Sequence, residues 1–413
     1  MTHLTAIIGA GHAGSETAIA LRQQGYTGRI VLIGDEAHLP YQRPPLSKAF
    51  LLASDPQASE IRPQSAYAQA GIELRLDTRA LRVDTANREV HLEGQPPLQF
   101  DQLVFATGCS PRPLQLRGLG QHRAANLHYL RHVQDATGLR SQWREGQRLV
   151  IVGGGYIGLE VAAAAVQRGL RVTVLESQER VLARVTATEV SHFYAHVHRA
   201  AGVDLRLDTQ LDGVQLDDAG NVCELVTATG ERIAADLMLV GIGAQPNVEL
   251  AAASGLPIDN GILADEHTGQ VMPGVYAVGD CCNRFSSRYQ RHVRLESIPN
   301  ASEHARNLAL ALTGKPTVPP AAPWFWSDQY DLKLQIAGLS QGYDQVVIRG
   351  SIALHSFVAF YLRGDTLIAA DCINRMQEFA AIKKLVQASA RGIATHLGDE
   401  CVSLKELSTT VAA

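Results

Sequence analysis

Leu4-Thr5-Ala6-Ile7-Ile8-Gly9-Ala10-Gly11-His12-Ala13-Gly14, near the start of the 413-residue chain, runs from an apolar stretch into a Gly-x-Gly-x-x-Gly turn. Leu4–Ile8 is read as a strand, and residues 15–24 as a helix that Gly25 closes. A second strand over 30–33 ends at Gly34-Asp35-Glu36, which places an acid about 20 residues beyond the turn. Gly9, Gly11 and Gly14 remove side chains where a backbone must approach a pyrophosphate, and the helix start offers its free N–H groups. Asp35 is placed to accept from a ribose hydroxyl. A lone glycine motif is weak evidence, whereas the full strand, turn, helix, strand and acid define a dinucleotide site.

The same unit recurs. Leu149–Val152 leads into Gly153-Gly154-Gly155-Tyr156-Ile157-Gly158, a helix over 159–168 carries the small run Ala162–Ala165, and the strand Arg171–Leu175 ends at Glu176. A carboxylate there accepts from the 2′-hydroxyl of NAD and repels the 2′-phosphate of NADP, so NADH is expected, although Arg180 four residues on could soften the choice. Two dinucleotide sites in one chain are used to pass hydride from a nicotinamide to a flavin, with the protein supplying position and electrostatics. FAD and NADH are the expected cofactors. Asp101–Gly108 and Asp236–Gly243 read as matching apolar strands, and Gly274–Asp280 as another, its Asp280 suited to a flavin ribityl hydroxyl.

Outside these units the composition is that of a globular chain, with 46% hydrophobic and 19% charged residues. A net charge of −4 lacks the basic footprint of a nucleic-acid binder. No basic leader precedes Leu4, and the apolar stretch 149–166 is broken by glycines and Glu160, so neither secretion nor a membrane span is expected. The six cysteines have no CxxC or metal spacing; reduced thiols in the cytoplasm, and no metal, are the simple reading. His192 and His196 lie at i, i+4, but Phe193 stands where a zinc protease needs glutamate, so solvated or packing histidines are expected.

Several longer stretches carry a resemblance. They are Arg43-Pro-Pro-Leu-Ser-Lys48, Val150–Glu160, Ala277-Val-Gly-Asp280, Arg294–Asn300 and Pro323-Trp-Phe-Trp-Ser-Asp-Gln-Tyr330. Over nearly its whole length the chain resembles the flavoprotein reductases of glutathione reductase architecture, and within them the oxygenase-coupled, NADH-dependent ferredoxin reductases. The resemblance implies an α/β chain with two Rossmann-like dinucleotide-binding domains, for FAD and NAD, and a C-terminal α+β domain. The FAD domain would cover 1–112 and 246–318, the NADH domain 113–245, and the third domain 319–413. Strands over 333–337, 345–349, 356–362 and 366–370 and a final helix near 377–390 fit that last segment, beyond the Pro-rich stretch 315–323.

Carried over by matching position, Ala13, Asp35, Lys48, Ala80, Arg131, Asp280 and Ile298 lie near FAD, with Arg43 as a further candidate. Gly153, Gly155, Tyr156, Ile157, Gly158 and Glu176 belong to NADH. Lys48 is implied to lie beside flavin N5, paired with Glu160, while Trp326 faces the flavin and Trp324 fills core. The disulfide reductases of this architecture carry a CxxxxC pair where this chain has Pro44–Lys48, with no thiol, so electrons leave the flavin singly. The implied reaction is hydride transfer from NADH to flavin N5, then single electrons to a [2Fe–2S] ferredoxin that supplies a cytochrome P450 or a Rieske-type oxygenase. Arg288, Arg291, Arg306 and Lys333 are candidates for a basic docking face, and a monomer or weak dimer is expected. Competing readings keep the cofactors and change the acceptor to rubredoxin, a quinone or monodehydroascorbate, or make the chain a redox-gated interaction protein like apoptosis-inducing factor.

Overall fold

A computed structural model describes residues 3–120 and 124–412. The chain divides into two compact units, one of residues 1–42, 58–110 and 244–321, the other of residues 43–57, 111–243 and 322–413. Among the described residues no helix is long and apolar enough to cross a membrane.

The first unit is built on a six-stranded sheet. Its order is Gln270–Met272, Val275–Ala277, Gln102–Phe105, Leu4–Ile8, Arg29–Ile33 and Ile72–Arg75, parallel except for the first strand. Strand alternation divides its apolar residues between two cores. Ile7, Ile30, Leu32 and Val104 face the helices His12–Gln23 and Ile298–Leu312 through Ala18, Leu21 and Leu308. Ala6, Ile8, Val31, Ile33, Leu103 and Phe105 face the opposite layer with Val90 and Cys282. Strands buried on both faces explain why Leu4–Ile8 is apolar at four of its five positions instead of alternating; the fifth, Thr5, is buried and donates to Tyr26 Oη at 2.8 Å.

The second unit contains a five-stranded parallel sheet in the order Asp204–Arg206, Arg171–Leu175, Arg148–Val152, Leu237–Val240 and Leu127–His128. Its second layer is the helix Tyr156–Gln167, buried without interruption from Gly158 to Ala165. A helix enclosed on every side must find a partner for any charge it carries, and Glu160 is the charge here. The C-terminal part is an antiparallel sheet in the order Trp324–Gln329, Leu332–Gly338, Thr366–Ile373, Ser356–Arg363 and Gln345–Ser351. The helix Met376–Gln387 covers it through Phe379, Ile382, Leu385 and Val386.

That helix, expected to be the last, is followed by Ala394–Gly398 and Leu404–Ala412. Leu397 and Leu404 are buried in the core, and Ala394 and Leu407 pack against it; the first helix is too short to show a period, while the second shows one in Leu404, Leu407 and Val411, at i, i+3 and i+7. Both Gly-rich helices begin three residues earlier than expected, at His12 and Tyr156, because the turn glycines serve as their N-caps. The segment 43–57, expected with the first part of the chain, packs with the second unit.

Candidate functional site

Each Gly-rich turn is closed by contacts that forbid a side chain. Gly9 has φ +112°, and a Cβ there would lie 2.2 Å from the Ala106 carbonyl oxygen. One on Gly14 would lie 1.9 Å from the Gly9 oxygen. In the second unit Gly153 (φ +110°) and Gly158 repeat the pattern, at 2.4 Å from the Gly241 oxygen and 2.2 Å from the Gly153 oxygen. Gly155 differs, since a Cβ on it would meet nothing within 4 Å. It is the N-cap of its helix, as Gly11 is of the other, and neither helix has a side-chain cap or an acid in its first turn. Free N–H groups and an uncovered positive helix end, beside open space, are what a pyrophosphate needs. Ile157 is 48% exposed although the residues after it are buried, so an apolar side chain stands at the mouth of that turn.

Glu176 lies against the second turn. Its Oε2 accepts from the Gly154 N–H at 2.7 Å and its Oε1 from the Gln178 N–H at 2.9 Å. Arg180 is held by its own loop, donating to the Thr186 and Ala183 carbonyls and to Ser191 Oγ. It is therefore tied down away from the role of a phosphate-binding arginine. Replacing Glu176 by alanine is expected to shift the NADH to NADPH ratio of kcat/KM on the order of 10- to 100-fold towards NADPH, measured with both coenzymes.

In the first unit, Gly279 (φ +73°) brings the Gly279–Cys281 turn against Ala13; a Cβ on Gly279 would lie 2.6 Å from that of Ala13. Asp280 follows, half-buried, with Cys109 Sγ donating to its Oδ2 at 3.4 Å. Asp35 is exposed at the end of its strand, Ala80 starts the strand Ala80–Asp84, and Ile298 opens a helix whose N-cap Ser297 accepts from the Asn300 N–H. Gly9, Gly11, Ala13, Gly14, Asp35, Ala80, Asp280 and Ile298 thus belong to the first unit. Arg43, Lys48 and Arg131 belong to the second, where Arg43 Nη1 donates to the Arg131 carbonyl at 2.9 Å.

A buried polar cluster of the second unit centres on Glu160. Lys48 Nζ lies 2.7 Å from its Oε2, with the two side chains 17% and 5% exposed. Ser47 Oγ also donates to Oε2, and Ser327 Oγ donates to Oε1 at 2.6 Å. Three donors on one carboxylate form the arrangement that an ionised, acceptor-only group satisfies. Lys48 is positioned by the 3₁₀ turn Pro44–Ser47 and donates a second bond to the Pro44 carbonyl at 3.2 Å.

Ser327 reaches Glu160 because the strand Trp324–Gln329 alternates. Phe325, Ser327 and Gln329 face one way: Phe325 packs edge-on against Tyr156 at 4.8 Å, and Gln329 meets His198. Trp324 and Trp326 face the other way, 5.7 Å apart, with Lys383 Nζ 4.5 Å over the Trp324 ring. Both tryptophans are half-buried, so Trp324 flanks the core and does not fill it. Desolvation lowers the pKa of Lys383, and the ring face partly replaces the lost water.

A second buried cluster lies behind Tyr156. Asp371 accepts at Oδ2 from Thr186 and Tyr361, while its Oδ1 and the hydroxyls of Tyr156 and Tyr194 are buried without a protein partner. Burial pushes the Asp371 carboxyl up to about 6 and keeps both phenols protonated.

The sequence reading did not single out Ser47, Ser327, Gln329, His198 or Asp371. The period-two pattern of 324–329 was the available signal for Ser327 and Gln329. His192 and His196 are exposed, as expected, whereas His198, two residues on, is fully buried. Lys333 pairs with Asp328 and lies in the second unit, while Arg288, Arg291 and Arg306 lie in the first.

These features are those of a two-dinucleotide oxidoreductase, and similarity to known proteins agrees. The model for pyridine nucleotide–disulphide oxidoreductases matches residues 4–305, and a reductase C-terminal model matches residues 324–408. The chain belongs to the pyridine nucleotide–disulphide oxidoreductase family. It is an oxidoreductase of the ferredoxin reductase type whose cofactors are FAD and NADH. Putidaredoxin reductase of Pseudomonas putida is 44% identical over 98% of this chain and 97% of its own length. The crystal structure of a covalent putidaredoxin reductase–putidaredoxin complex matches with a TM-score of 0.96 at 44% identity, covering 100% of this chain and 99% of that one. The ferredoxin reductase for the CYP199A2 system of Rhodopseudomonas palustris matches with a TM-score of 0.94 at 38% identity, covering 98% and 100%.

Proposed function

We propose that this chain is an NADH-dependent, FAD-containing ferredoxin reductase that feeds a [2Fe–2S] ferredoxin, and through it a cytochrome P450 or Rieske-type oxygenase. The observation that carries the reading is the Lys48–Glu160 pair, held in the second unit on a buried helix that starts at the second Gly-rich turn. Bound FAD would supply, at N5, the acceptor for the hydride of NADH and the donor of single electrons to the ferredoxin.

The residues have distinct tasks. Gly9, Gly11, Ala13 and Gly14 hold the FAD pyrophosphate against a helix start, Asp35 binds its ribose, and Asp280 binds the ribityl chain. Ala80 and Ile298 complete that site within the first unit, and Arg43 and Arg131 are further candidates for FAD contacts. Gly153, Gly155, Tyr156, Ile157 and Gly158 receive NADH, with Glu176 on the ribose. Lys48, oriented by Glu160, holds positive charge where negative charge builds on reduction. Trp326 excludes water from the flavin face. The functional division is an FAD domain at 1–112 and 246–318, an NADH domain at 113–245 and a C-terminal domain at 319–413. The segment Arg43–Lys48 carries no cysteine, so no dithiol stands between this site and the acceptor. Six free thiols fit a reducing, cytoplasmic setting.

The test is NADH-driven cytochrome c reduction with and without purified [2Fe–2S] ferredoxin. The expected rate rises with ferredoxin concentration until it saturates. Indifference to several ferredoxins would sink the proposed acceptor and move attention to rubredoxin, quinones or a signalling role.

A further inference from the structure

His198 belongs to the helix Thr188–Ala200 and carries none of the expected chemistry, yet it is 0% exposed and both ring nitrogens are engaged. Nε2 lies 2.9 Å from Gln329 Oε1, and Nδ1 lies 3.1 Å from Tyr330 Oη. Burial lowers its pKa, so the ring is neutral, with one donor and one acceptor. An amide oxygen can only accept, so Nε2 carries the proton, and Nδ1 accepts from the Tyr330 hydroxyl. Gln329 Nε2 then donates to Ser327 Oγ at 3.3 Å, and Ser327 donates to Glu160 Oε1 at 2.6 Å. On the other oxygen Glu160 receives Lys48. Every donor in the series Tyr330, His198, Gln329, Ser327 points towards the carboxylate. Such a series polarises cooperatively in a buried setting, and each member fixes the next one's rotor.

We infer that His198 is a positioning residue for the Lys48–Glu160 pair, acting through Gln329 and Ser327. This rests on the reading of Lys48 and Glu160 as the groups beside the flavin. Because Ser327 has one hydroxyl proton, it stays on Glu160 only while Gln329 supplies the donor to Ser327 Oγ. Gln329 in turn keeps its amide orientation only while His198 donates to its oxygen. Loss of His198 frees the amide to turn, and Glu160 loses a fixed donor without losing its lysine. The dinucleotide turn Gly153–Gly158 and Glu176 lie outside the series, so coenzyme binding is untouched.

The experiment uses the FAD-loaded protein and the variants His198→Met, His198→Gln, Glu160→Gln and the double variant H198M/E160Q. His198→Met is expected to slow flavin reduction by NADH roughly tenfold in kcat with KM unchanged. His198→Gln, which can donate to Gln329 and accept from Tyr330, restores most of the rate. In the Glu160→Gln background His198→Met has no further effect, because residues acting in one network are not additive. Independently of activity, nitrogen NMR of labelled histidine is expected to show His198 as a neutral Nε2–H tautomer that does not titrate between about pH 5.5 and 8. An Nδ1–H tautomer or a titrating ring overturns the inference, as do additive effects or a His198→Gln variant as slow as His198→Met. If His198→Met does not fold, Tyr330→Phe removes only the terminal hydroxyl and is expected to slow reduction two- to threefold. An unchanged rate in Tyr330→Phe then counts against the series. A Glu160→Gln variant with a wild-type rate sinks the underlying site reading, whereas an impaired Glu160→Gln beside a normal His198→Met sinks the series alone.

Discussion

Replacing Glu160 by glutamine is expected to slow reduction of the bound flavin by NADH on the order of 10²-fold or more, with most of the loss in kcat. The side chain keeps its shape but loses its charge, and its new NH₂ group cannot accept from Lys48. The ammonium, 17% exposed and, among the described residues, otherwise bonded only to the Pro44 carbonyl, is left without its counter-charge. Removing one partner of a buried pair usually costs about 3–5 kcal/mol, because the remaining charge stays desolvated. Stopped-flow absorbance of the flavin measures the rate, and denaturant unfolding measures the stability. The double variant Lys48→Met/Glu160→Leu separates the two effects. It removes both charges, so it is expected to recover part of the stability and none of the rate. A double variant that reduces flavin as fast as the parent would show that the pair only holds the fold together.

The second large effect is a dependence of stability on pH that Asp371 creates. Its carboxyl is fully buried, and desolvation pushes it up to about 6 from an ordinary 3.8. An acid with a raised folded pKa holds its proton more tightly when folded. Its contribution is therefore fully present at low pH and is lost as pH rises from about 4 to 6. The total loss is about 3 kcal/mol at neutral pH.

Asparagine at 371 should abolish that loss. Its oxygen still accepts from Tyr361 and Thr186, and its NH₂ takes the place of Oδ1, which has no protein partner to lose. Relative to the parent, Asp371→Asn is expected to gain about 2 kcal/mol between about pH 4.5 and pH 7.5 in urea unfolding of the FAD-loaded protein. Asp135, Asp236 and Asp265 have pKa values lowered by hydrogen bonds and change stability in the opposite sense as pH falls. They do so equally in both proteins, so they cancel. A difference that stays constant across that range would mean that Asp371 is not the titrating group.

How much of this was legible in the residues varies from element to element. The strand Leu4–Ile8 and the strand Arg171–Leu175 occupy the residues assigned to them, since a five-residue run rich in Ile, Val and Thr and closed by glycine or an acid is too short for a helix and favours a strand. The helix starts were displaced because a glycine turn and a helix N-cap are the same residues here. Leu404–Ala412 was missed although Leu404, Leu407 and Val411 recur at i, i+3 and i+7, a period carried over little more than two turns. Lys48 was singled out only by family resemblance, since a lysine 112 positions before a glutamate carries no local sign that the two will meet. His198 shows the opposite failure. The i, i+4 pair His192 and His196 drew attention, yet the helix turns both to solvent and buries the histidine beside them.

By itself, then, the sequence determined the two dinucleotide-binding units and the acid, Glu176, that is proposed to set the coenzyme, because these depend on contacts within about 30 consecutive residues. It also determined the absence of a dithiol from Arg43–Lys48, which is a matter of residue identity. The tertiary structure alone decided which polar groups surround Glu160. The adjacent Ser47 and Lys48, Glu160 itself, and Ser327 come from three segments far apart in the chain, and they meet because a helix buried on all sides must have its one carboxylate satisfied. The register of the strand Trp324–Gln329 then decides which of its side chains do so, sending Ser327 to that carboxylate with Gln329 behind it, and the two tryptophans to the opposite face.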